Sequence, residues 1–470
     1  MSGSPISIRE LMTEPELFGG MFADDCWANW RALLCGFFGL SLTDEEVLLF
    51  QGLTGRETLP KEALEELWLI VGRRGGKSQC AALLAVYLAA LHDYTDRLSP
   101  GEVATVMVLA ADRKQARAVF RYVSGLIQSN PMIAAMVVRE DKETIELNNR
   151  TVIEISTASF RSVRGYTLAA VIADEIAFWR SDDSANPDYE IIAALRPALA
   201  TLNGRLIALS SPYAKRGELW GAYRRYYGQD DASILVAQAD SRTMNPKLPQ
   251  RVVDRAYERD AAAAQAEYGA QFRNDLEAFV SREAVEACVS PGLFELPPIT
   301  RQSYRAFVDP SGGSADSMTL AIAHDERQPD GQTITMLDAV REVKPPFSPE
   351  AVVADFCDLL KSYRIYRVTG DRYGGEWCRE PFTKHGIKYE LAEKPRSDLY
   401  RDLLPLINGR LIELLDHSKL ITQLCSLERR TARSGRDSID HAPGSHDDVA
   451  NAVAGVATMR KQTRDYSAML

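Results

Sequence analysis

The N-terminal half of the chain takes its fold from one stretch, Leu67-Trp68-Leu69-Ile70-Val71-Gly72-Arg73-Arg74-Gly75-Gly76-Lys77-Ser78. An apolar, strand-like run stops at a glycine-rich turn, and Lys77 and Ser78 then open a helix-like run. Small residues let backbone N–H groups close around phosphates, and the positive end of the helix dipole points at the same place. The stretch therefore predicts a Walker A loop, with Lys77 on the β- and γ-phosphates and Ser78 on Mg²⁺. It departs from the G-x-x-x-x-G-K-[ST] pattern at Val71, which stands where that pattern has glycine.

A second motif, Ala169-Ala170-Val171-Ile172-Ala173-Asp174-Glu175, is a buried-strand pattern that ends in two carboxylates. Continuous apolar runs are typical of parallel strands that are buried on both faces. We expect Asp174 to lie at the carboxyl end of this strand, near the Mg²⁺ held by Ser78. Glu175 is expected to activate the attacking water. An acidic pair closing a surface strand is the alternative, and the pairing with Lys77 and Ser78 disfavours it.

A third strand-like run, Arg205 to Pro212, ends in hydroxyl side chains. In a phosphate-binding sheet such a strand can sense the γ-phosphate, and we expect Ser210 to do so. Residues 66–215 alternate strand-like and helix-like runs, which is typical of a doubly wound α/β sheet. The N-terminal half is therefore predicted to be an ATPase core that binds ATP and Mg²⁺.

Composition excludes several classes of protein. A chain of 470 residues is long enough for two or three domains. No apolar run approaches the roughly 20 residues that span a bilayer, and the N-terminus lacks the pattern of a secretory signal. Seven cysteines without a C-x-x-C pair indicate reduced thiols in a cytosolic setting. A net charge of −10 argues against coating of nucleic acid by bulk attraction, and the basic run Arg429–Arg436 is more typical of a solvated loop than of a DNA contact.

After residue 300 the pattern changes to three strands, a helix, a strand, a helix, a strand and a closing helix. This is the order of a ribonuclease H-like fold. The predicted elements are Tyr304–Val308, Met318–Ala323, Thr333–Val343, Glu350–Tyr363, Arg364–Gly370, Trp377–His385, Ile387–Leu391 and Asp447–Met459.

Carboxylates fall where such a fold brings its strand ends together. Asp309 ends the first strand, Asp371 follows the fourth, and Asp447 and Asp448 open the last helix. We expect them to converge on a pair of Mg²⁺ or Mn²⁺ ions, because oxygen ligands suit these hard cations and paired metals support phosphodiester cleavage. His446 is expected to assist or to bind phosphate.

Each acid also has a structural alternative. Asp309 and Asp371 could close strand-end turns, and Asp447 could cap the last helix. Asp316 and Asp338 are expected to lie in turns or behind the site. The predicted α/β organisation is a helical accessory region at 1–60, a P-loop ATPase domain of the ASCE type at 61–250, a linker at 251–299, a ribonuclease H-like nuclease domain at 300–460 and a tail at 461–470.

The combination of motifs is more specific than any one of them. Val-Gly-Arg-Arg-Gly-Gly-Lys-Ser, Val-Ile-Ala-Asp-Glu, Leu-Ser-Ser-Pro and the C-terminal acids together resemble the large terminase subunit of tailed double-stranded DNA bacteriophages, over roughly residues 45–460. The resemblance implies a DNA-packaging motor in the host cytoplasm, with no membrane association. Its ATPase would translocate double-stranded DNA into the procapsid, and its nuclease would cut concatemeric genomes. It also implies three protein partners: the portal, the small terminase subunit and further copies of the chain in a ring.

The resemblance assigns roles to single residues as well. Arg73 suits the family's variant of the phosphate-binding loop. Gln51, or else Arg56, falls in the family's adenine-contacting region. Arg164 is the first choice for an arginine finger and Arg161 the second.

Position 451 departs from the family, because Asn451 stands where related sequences often have Asp. The departure implies that the cluster relies on Asp447 or Asp448, and it leaves open which of the two binds metal.

Two other functions share some of these features. An ATP-driven helicase or remodeller fused to a resolvase-like nuclease would have both sites and would need no procapsid. A nucleotide-binding assembly scaffold would use its C-terminal acids only structurally and would cut nothing.

Overall fold

The computed structural model describes residues 6–158, 165–179, 187–273, 275–314, 316–329, 331–371, 378–431, 437–441 and 445–459. The chain forms two compact units, which meet in sequence between residues 274 and 275. This point lies inside the segment 251–299 that we predicted as a linker. Residues 6–60 belong to the first unit.

The first unit contains twelve named helices and eight named strands within the described residues. The strands are β1 Glu66–Val71, β2 Ala104–Ala110, β3 Val137–Glu140, β4 Thr144–Leu147, β5 Thr151–Thr157, β6 Leu168–Asp174, β7 Arg205–Ser210 and β8 Ile234–Ala239. The helices are α1 Ile8–Thr13, α2 Gly19–Phe22, α3 Ala28–Phe37, α4 Asp44–Thr54, α5 Lys77–Ala90, α6 Arg113–Ser129, α7 Pro131–Ala134, α8 Pro187–Ala200, α9 Gly217–Tyr226, α10 Ser241–Met244, α11 Gln250–Arg259 and α12 Ala261–Glu267.

The sheet of this unit has the order β3-β4-β5-β2-β6-β7-β1-β8. Its central strands are parallel, and β7 lies between β1 and β6. Parallel neighbours end at the same edge, so the residues that follow β1, β6 and β7 meet there. The predicted doubly wound α/β fold is confirmed, and the three motif strands are neighbours.

The N-terminal helices share the hydrophobic core of this sheet. Leu11 and Leu34 are fully buried in the same apolar cluster as Leu84 of α5 and Leu69 of β1. Helix α5 is buried on almost every side. The region predicted to be accessory therefore covers the helix that follows the glycine-rich turn.

The second unit begins with β9 and ends with a long buried helix. Its described elements are β9 Leu276–Ala278, α13 Arg282–Glu286, β10 Val289–Ser290, β11 Tyr304–Asp309, β12 Met318–Arg327, β13 Thr333–Val343, α14 Pro349–Ser362, β14 Arg367–Gly370, α15 Arg379–Lys384, β15 Lys388–Leu391, α16 Arg396–Asn408, β16 Ile412–Leu415, α17 Ser418–Ser426, β17 Leu427–Thr431, β18 Asp437–His441 and α18 Asp448–Thr458.

The main sheet of the second unit has the order β10-β16-β13-β12-β11-β14-β15. Strands β11 to β13 are antiparallel neighbours, and β14 and β15 continue from β11 in parallel. This is the ribonuclease H-like arrangement that the order of elements predicted, and the prediction is confirmed.

The sequence analysis predicted no element between Leu391 and Asp447, and the structure has several there. Strand β16 extends the sheet beside β13, while β17 pairs with β9 and β18 in a separate antiparallel sheet. These strands are only four or five residues long, and α16 contains Pro405, which ordinarily interrupts a helix. The start of the basic run was wrongly interpreted as loop, because Arg429 and Arg430 lie in β17; residues 432–436 lie outside the described part.

Two features of composition are reflected in the structure. All seven cysteines lie in the described residues and are free thiols. Among the helices of the described segments, none combines the length and the apolar character that crossing a bilayer requires.

Helix α18 packs directly on β11, and one glycine permits this contact. Residues 448 to 457 are all buried. A Cβ atom on Gly455 would lie 2.3 Å from Cγ of Phe307, whose ring is itself buried. The close approach holds the second half of α18 against β11.

We expect Gly455→Ala to destabilise the second unit by about 1–3 kcal/mol, because a methyl group there overpacks the Phe307 ring. Thermal or chemical unfolding of the full chain measures this change. Gly52→Ala is the matched control, since Gly52 is also helical but has nothing within 4 Å of the added Cβ. It should leave stability unchanged or raise it slightly. Equal effects of the two substitutions would contradict the packing argument.

Candidate active sites

The glycine-rich turn between β1 and α5 is shaped by close backbone contacts. A Cβ on Gly72 would lie 2.3 Å from Ser241 Oγ and 2.5 Å from the Tyr268 carbonyl oxygen, so only glycine fits there. Gly76 has a φ of +95° and precedes the first residue of α5. Val71, the departure from the motif, is a buried residue of β1. The turn therefore lies in close contact with Ser241 and Tyr268 at Gly72.

Lys77 lies at the centre of this turn and is buried. Its Nζ donates hydrogen bonds to the Val71 carbonyl oxygen at 2.9 Å and to Ser211 Oγ at 2.8 Å. It also lies 3.5 Å from Oε1 of Glu175. The ammonium group thus contacts residues at the ends of three neighbouring strands. A phosphate oxygen could replace any of these partners, because each of them contacts the ammonium group through an oxygen atom.

Glu175 follows β6 in a left-handed backbone conformation, with φ of 51°. Its Oε2 accepts hydrogen bonds from Ser210 Oγ and from the Ser211 backbone N–H, both at 3.2 Å. The carboxylate is therefore tied to the end of β7. Ser210 thus contacts Glu175 directly, and its sensing of the γ-phosphate stays a prediction.

Asp174 is buried, and its Oδ1 has no hydrogen-bond partner among the described residues. Burial, with the nearby charge of Glu175, raises its pKa to about 7. The Trp179 indole N–H donates to the backbone carbonyl oxygen of Asp174 at 2.9 Å and holds the strand end in place. An unpartnered buried carboxylate oxygen fits a divalent cation, and the hydroxyl of Ser78, half-buried in the first turn of α5, supplies a second ligand of the kind Mg²⁺ prefers.

A cavity of about 1010 Å³ opens beside the turn. Its lining includes Arg73, Arg74, Gly75, Gly76, Lys77, Ser78 and Glu175. The lining also includes apolar and aromatic residues that the sequence analysis did not assign to a site: Met21, Phe22, Trp27, Tyr122, Leu126, Met244, Leu248 and Tyr268. A cavity lined by a glycine-rich turn, a lysine and aromatic side chains suits a nucleotide.

The two residues considered for adenine contact lie elsewhere. Gln51 is not in the lining of this cavity, as far as the described residues show, and its amide donates to the Glu57 carbonyl. Arg56 is buried, and its guanidinium donates to the backbone carbonyls of residues 230, 232 and 234. Arg56 therefore caps a turn, and the structure corrects this alternative.

Two tryptophans of the N-terminal region support the turn instead. The Trp30 indole N–H donates to the Gly75 carbonyl at 3.0 Å. The ring of Trp27 lies 3.4 Å from where a Cβ on Gly76 would be. Helical spacing suggested only a packed face for these residues, because periodicity does not tell which surface a face packs against.

The acids of the second unit meet at the end of β11. Val308 and Gly370 are paired residues of the parallel strands β11 and β14, and the Asp371 N–H donates to the Val308 carbonyl at 3.1 Å. Asp309 and Asp371 therefore occupy neighbouring positions at the ends of two adjacent strands. Burial raises the pKa of Asp309 well above its ordinary value, and the charges of Asp371 and Asp448 add to the effect.

The structure distinguishes the two acids at the start of α18. Asp447 accepts hydrogen bonds from Arg396 at 2.9 Å and from the Tyr400 hydroxyl at 2.7 Å, so both of its oxygens are used. Asp448 is buried, and its Oδ2 has no partner among the residues described. Burial and the charge of Asp447 raise the pKa of Asp448 to about 6. Of the two, Asp448 has the oxygen that a cation could bind.

The lesser candidates are placed as follows. His446 lies 3.5 Å from Asp316, and both are exposed. Asp338 lies within β13, not in a turn, and forms a buried pair with His324 of β12 at 2.8 Å. Arg161 and Arg164 lie outside the described residues.

No group of three or more Asp, Glu, His or Cys side chains is arranged to hold a metal ion in the described segments, which omit residues 372–377 and 442–444. The predicted sharing of metal by Asp309, Asp371 and either Asp447 or Asp448 stays a prediction. Its support is chemical: these are oxygen ligands, one of them is unpartnered, and their charges crowd together.

Comparison with models of protein families and with curated proteins finds no match. Among solved structures, the large terminase of bacteriophage HK97 is 16% identical, and the match covers 92% of this chain and 99% of that chain with a TM-score of 0.38. The large terminase of a thermophilic bacteriophage is 13% identical, with 88% and 97% covered and a TM-score of 0.39. The large terminase nuclease of another thermophilic phage, G20c, is 16% identical over 36% of this chain and 95% of that chain, with a TM-score of 0.31.

Because the pKa of Asp174 is raised, we expect the free energy of unfolding to depend on pH. An acid whose pKa is raised in the folded state loses stability as pH rises from its ordinary pKa of 3.8 to about 7. The loss approaches about 1.4 kcal/mol per pH unit in that window and stops above it. We therefore expect Asp174→Asn to become more stable than the wild type across this window, in unfolding measurements with EDTA. A difference that does not change with pH would contradict the raised pKa.

Proposed function

We propose that the chain is the large terminase subunit of a tailed double-stranded DNA bacteriophage. In this role ATP hydrolysis drives double-stranded DNA into a procapsid, and a nuclease dependent on Mg²⁺ or Mn²⁺ cuts concatemeric DNA. The observation that carries the proposal is the presence in one chain of two sites: the Lys77–Glu175 site at the edge of a P-loop sheet, and the acids Asp309, Asp371 and Asp448 in a ribonuclease H-like unit.

The ATPase step uses side chains that are already held in place. Lys77 exchanges its contacts with Val71 and Ser211 for oxygens of the β- and γ-phosphates. Glu175 takes the proton of the attacking water. Ser78 and Asp174 would hold Mg²⁺, which would supply positive charge to offset that of the phosphates.

The same contacts give the site a means of reporting hydrolysis. Ser210 and the Ser211 backbone both donate to Glu175, and Ser211 also accepts from Lys77. Loss of the γ-phosphate changes the partners of Lys77 and Glu175, and this change reaches β7 directly. An arginine of a neighbouring copy, Arg164 or else Arg161, is proposed to complete the site in a ring.

In the nuclease unit, Asp309, Asp371 and Asp448 are proposed to hold the divalent metal, which would position a water and stabilise the leaving oxygen. Asp447 has a different role. Its hydrogen bonds to Arg396 and Tyr400 anchor the start of α18 and so orient Asp448. The proposed partners are double-stranded DNA, the portal of the procapsid and the small terminase subunit.

Substitutions at Lys77 and Glu175 should separate binding of ATP from its hydrolysis. Lys77→Ala should lose nucleotide affinity, because it removes the charge on the phosphates. Glu175→Gln should bind ATP normally but turn it over about 10²–10⁴-fold more slowly, because an amide cannot take the proton. Equilibrium nucleotide binding and phosphate release measure the two effects.

Lys114→Ala is the matched control, since Lys114 is an exposed lysine at the start of α6. It should behave as the wild type. Normal turnover by Glu175→Gln would remove Glu175 as the base.

The nuclease assignment is tested by neutralising the acids one at a time. Asp309→Asn, Asp371→Asn and Asp448→Asn should abolish metal-dependent cutting of plasmid DNA. Stability should be kept or raised, because each change removes a charge from a crowded, buried cluster. ATPase activity should be unchanged, because it resides in the other unit.

Two further variants sharpen the result. Asp447→Asn should lower stability, because it weakens a buried pair with Arg396, and it should retain more cutting than Asp448→Asn. Asp358→Asn is the control, since this side chain is 80% exposed on α14. Wild-type cutting by a folded Asp371→Asn protein would overturn the nuclease assignment.

A further inference from the structure

Asn451 is a buried amide beside the acids of the second unit, and the proposed reaction gives it no task. It lies on α18, one turn after Asp448, and is 1% exposed. Its backbone N–H donates to the Asp447 carbonyl at 2.7 Å. The close contact of Gly455 with Phe307 fixes this part of α18 against β11.

The side chain of Asn451 faces two carboxylates. Its Nδ2 donates to Oδ2 of Asp371 at 2.8 Å, and the same amide lowers the pKa of Asp309, against the effect of burial. Its Oδ1 is buried and has no partner among the described residues. The orientation of the amide therefore follows from the bond that it donates to Asp371.

This arrangement answers an electrostatic problem. Asp309 and Asp371 follow paired positions of adjacent strands, so their like charges repel in a site with little water. An amide offers two N–H donors and no net charge, and hydrogen bonds to carboxylates are strong. An aspartate at the same position would add a third charge and offer no donor.

We propose that Asn451 is a positioning residue that holds Asp309 and Asp371 together when no metal is bound. The role rests on the proposed function, in which these two acids bind metal. In the metal-free protein, Asn451 reduces part of the repulsion between carboxylates that a bound cation would otherwise offset. The nuclease unit is therefore folded and arranged for metal before metal arrives, and it depends little on metal for its stability.

The test measures stability with and without metal, separately from cutting. Thermal unfolding of the full chain is followed at one fixed, mildly alkaline pH in EDTA and in MnCl₂, for the wild type, Asn451→Asp and the control Asn408→Asp. Asn408 is an exposed residue at the end of α16, so the control adds the same charge away from the site. Asn451→Asp should unfold about 5 °C below the wild type in EDTA, and MnCl₂ should recover most of this difference. The control should follow the wild type in both conditions.

A reciprocal variant keeps the test decisive if Asn451→Asp folds poorly. Asp371→Asn combined with Asn451→Asp restores one amide and one carboxylate to the pair, with the two exchanged. It should recover the wild-type midpoint in EDTA. A double variant as unstable as the single one would overturn the proposal.

Other outcomes separate this inference from the proposed function. An Asn451→Asp protein that matches Asn408→Asp in EDTA, or that loses the same stability in EDTA and in MnCl₂, overturns the positioning role alone. A wild type that is neither stabilised by MnCl₂ nor able to cut plasmid DNA overturns the nuclease function on which the role rests.

Discussion

One buried ammonium group connects the ends of three strands in the first unit. Lys77 reaches the last residue of β1, a hydroxyl after β7 and a carboxylate after β6. A buried charge is tolerated only where it is paired and hydrogen-bonded, so the strand order β6-β7-β1 is a condition for burying this lysine. The remaining features of the site follow from that order. Asp174 lies at the buried edge of the sheet beside Glu175. The residues at the end of β7 contact both Lys77 and Glu175.

The two units manage crowded charge in different ways. In the first, a lysine lies 3.5 Å from Glu175 and offsets the acidic pair. In the second, within the part of the chain that the structure describes, a neutral amide donates to Asp371, and Arg396 pairs with Asp447 and with Asp440, neither of which is among the acids proposed to bind metal. The first arrangement suits a site in which the charge of the lysine stays in place while the oxygen atoms that accept its hydrogen bonds are exchanged. The second leaves the negative charge of Asp309, Asp371 and Asp448 for a ligand to offset.

The N-terminal helices show how a region without a motif can belong to a site. Trp30 bonds to the Gly75 carbonyl, and the aromatic residues near position 27 line the nucleotide-sized cavity. Their spacing in the sequence is that of any amphipathic helix. Nothing in a periodic pattern states whether the buried face meets another helix or a ligand-binding turn, so this part of the site could not be predicted.

The sequence by itself determined the fold of both units and the place of most acids, because strand ends in α/β sheets are marked by apolar runs that stop at polar residues. The Lys77–Ser78 turn, Asp174, Glu175, Asp309 and Asp371 were all predicted from that signal. Tertiary structure alone decided which side chains are free to bind. Asp447 and Asp448 are equivalent as neighbours in sequence, yet Arg396 and Tyr400 arrive from a distant helix and occupy only Asp447. Asn451 looked like a missing acid, and its hydrogen bond to Asp371 depends on the packing of α18 in the second unit. Such contacts join residues far apart in the chain, and no local pattern encodes their distances.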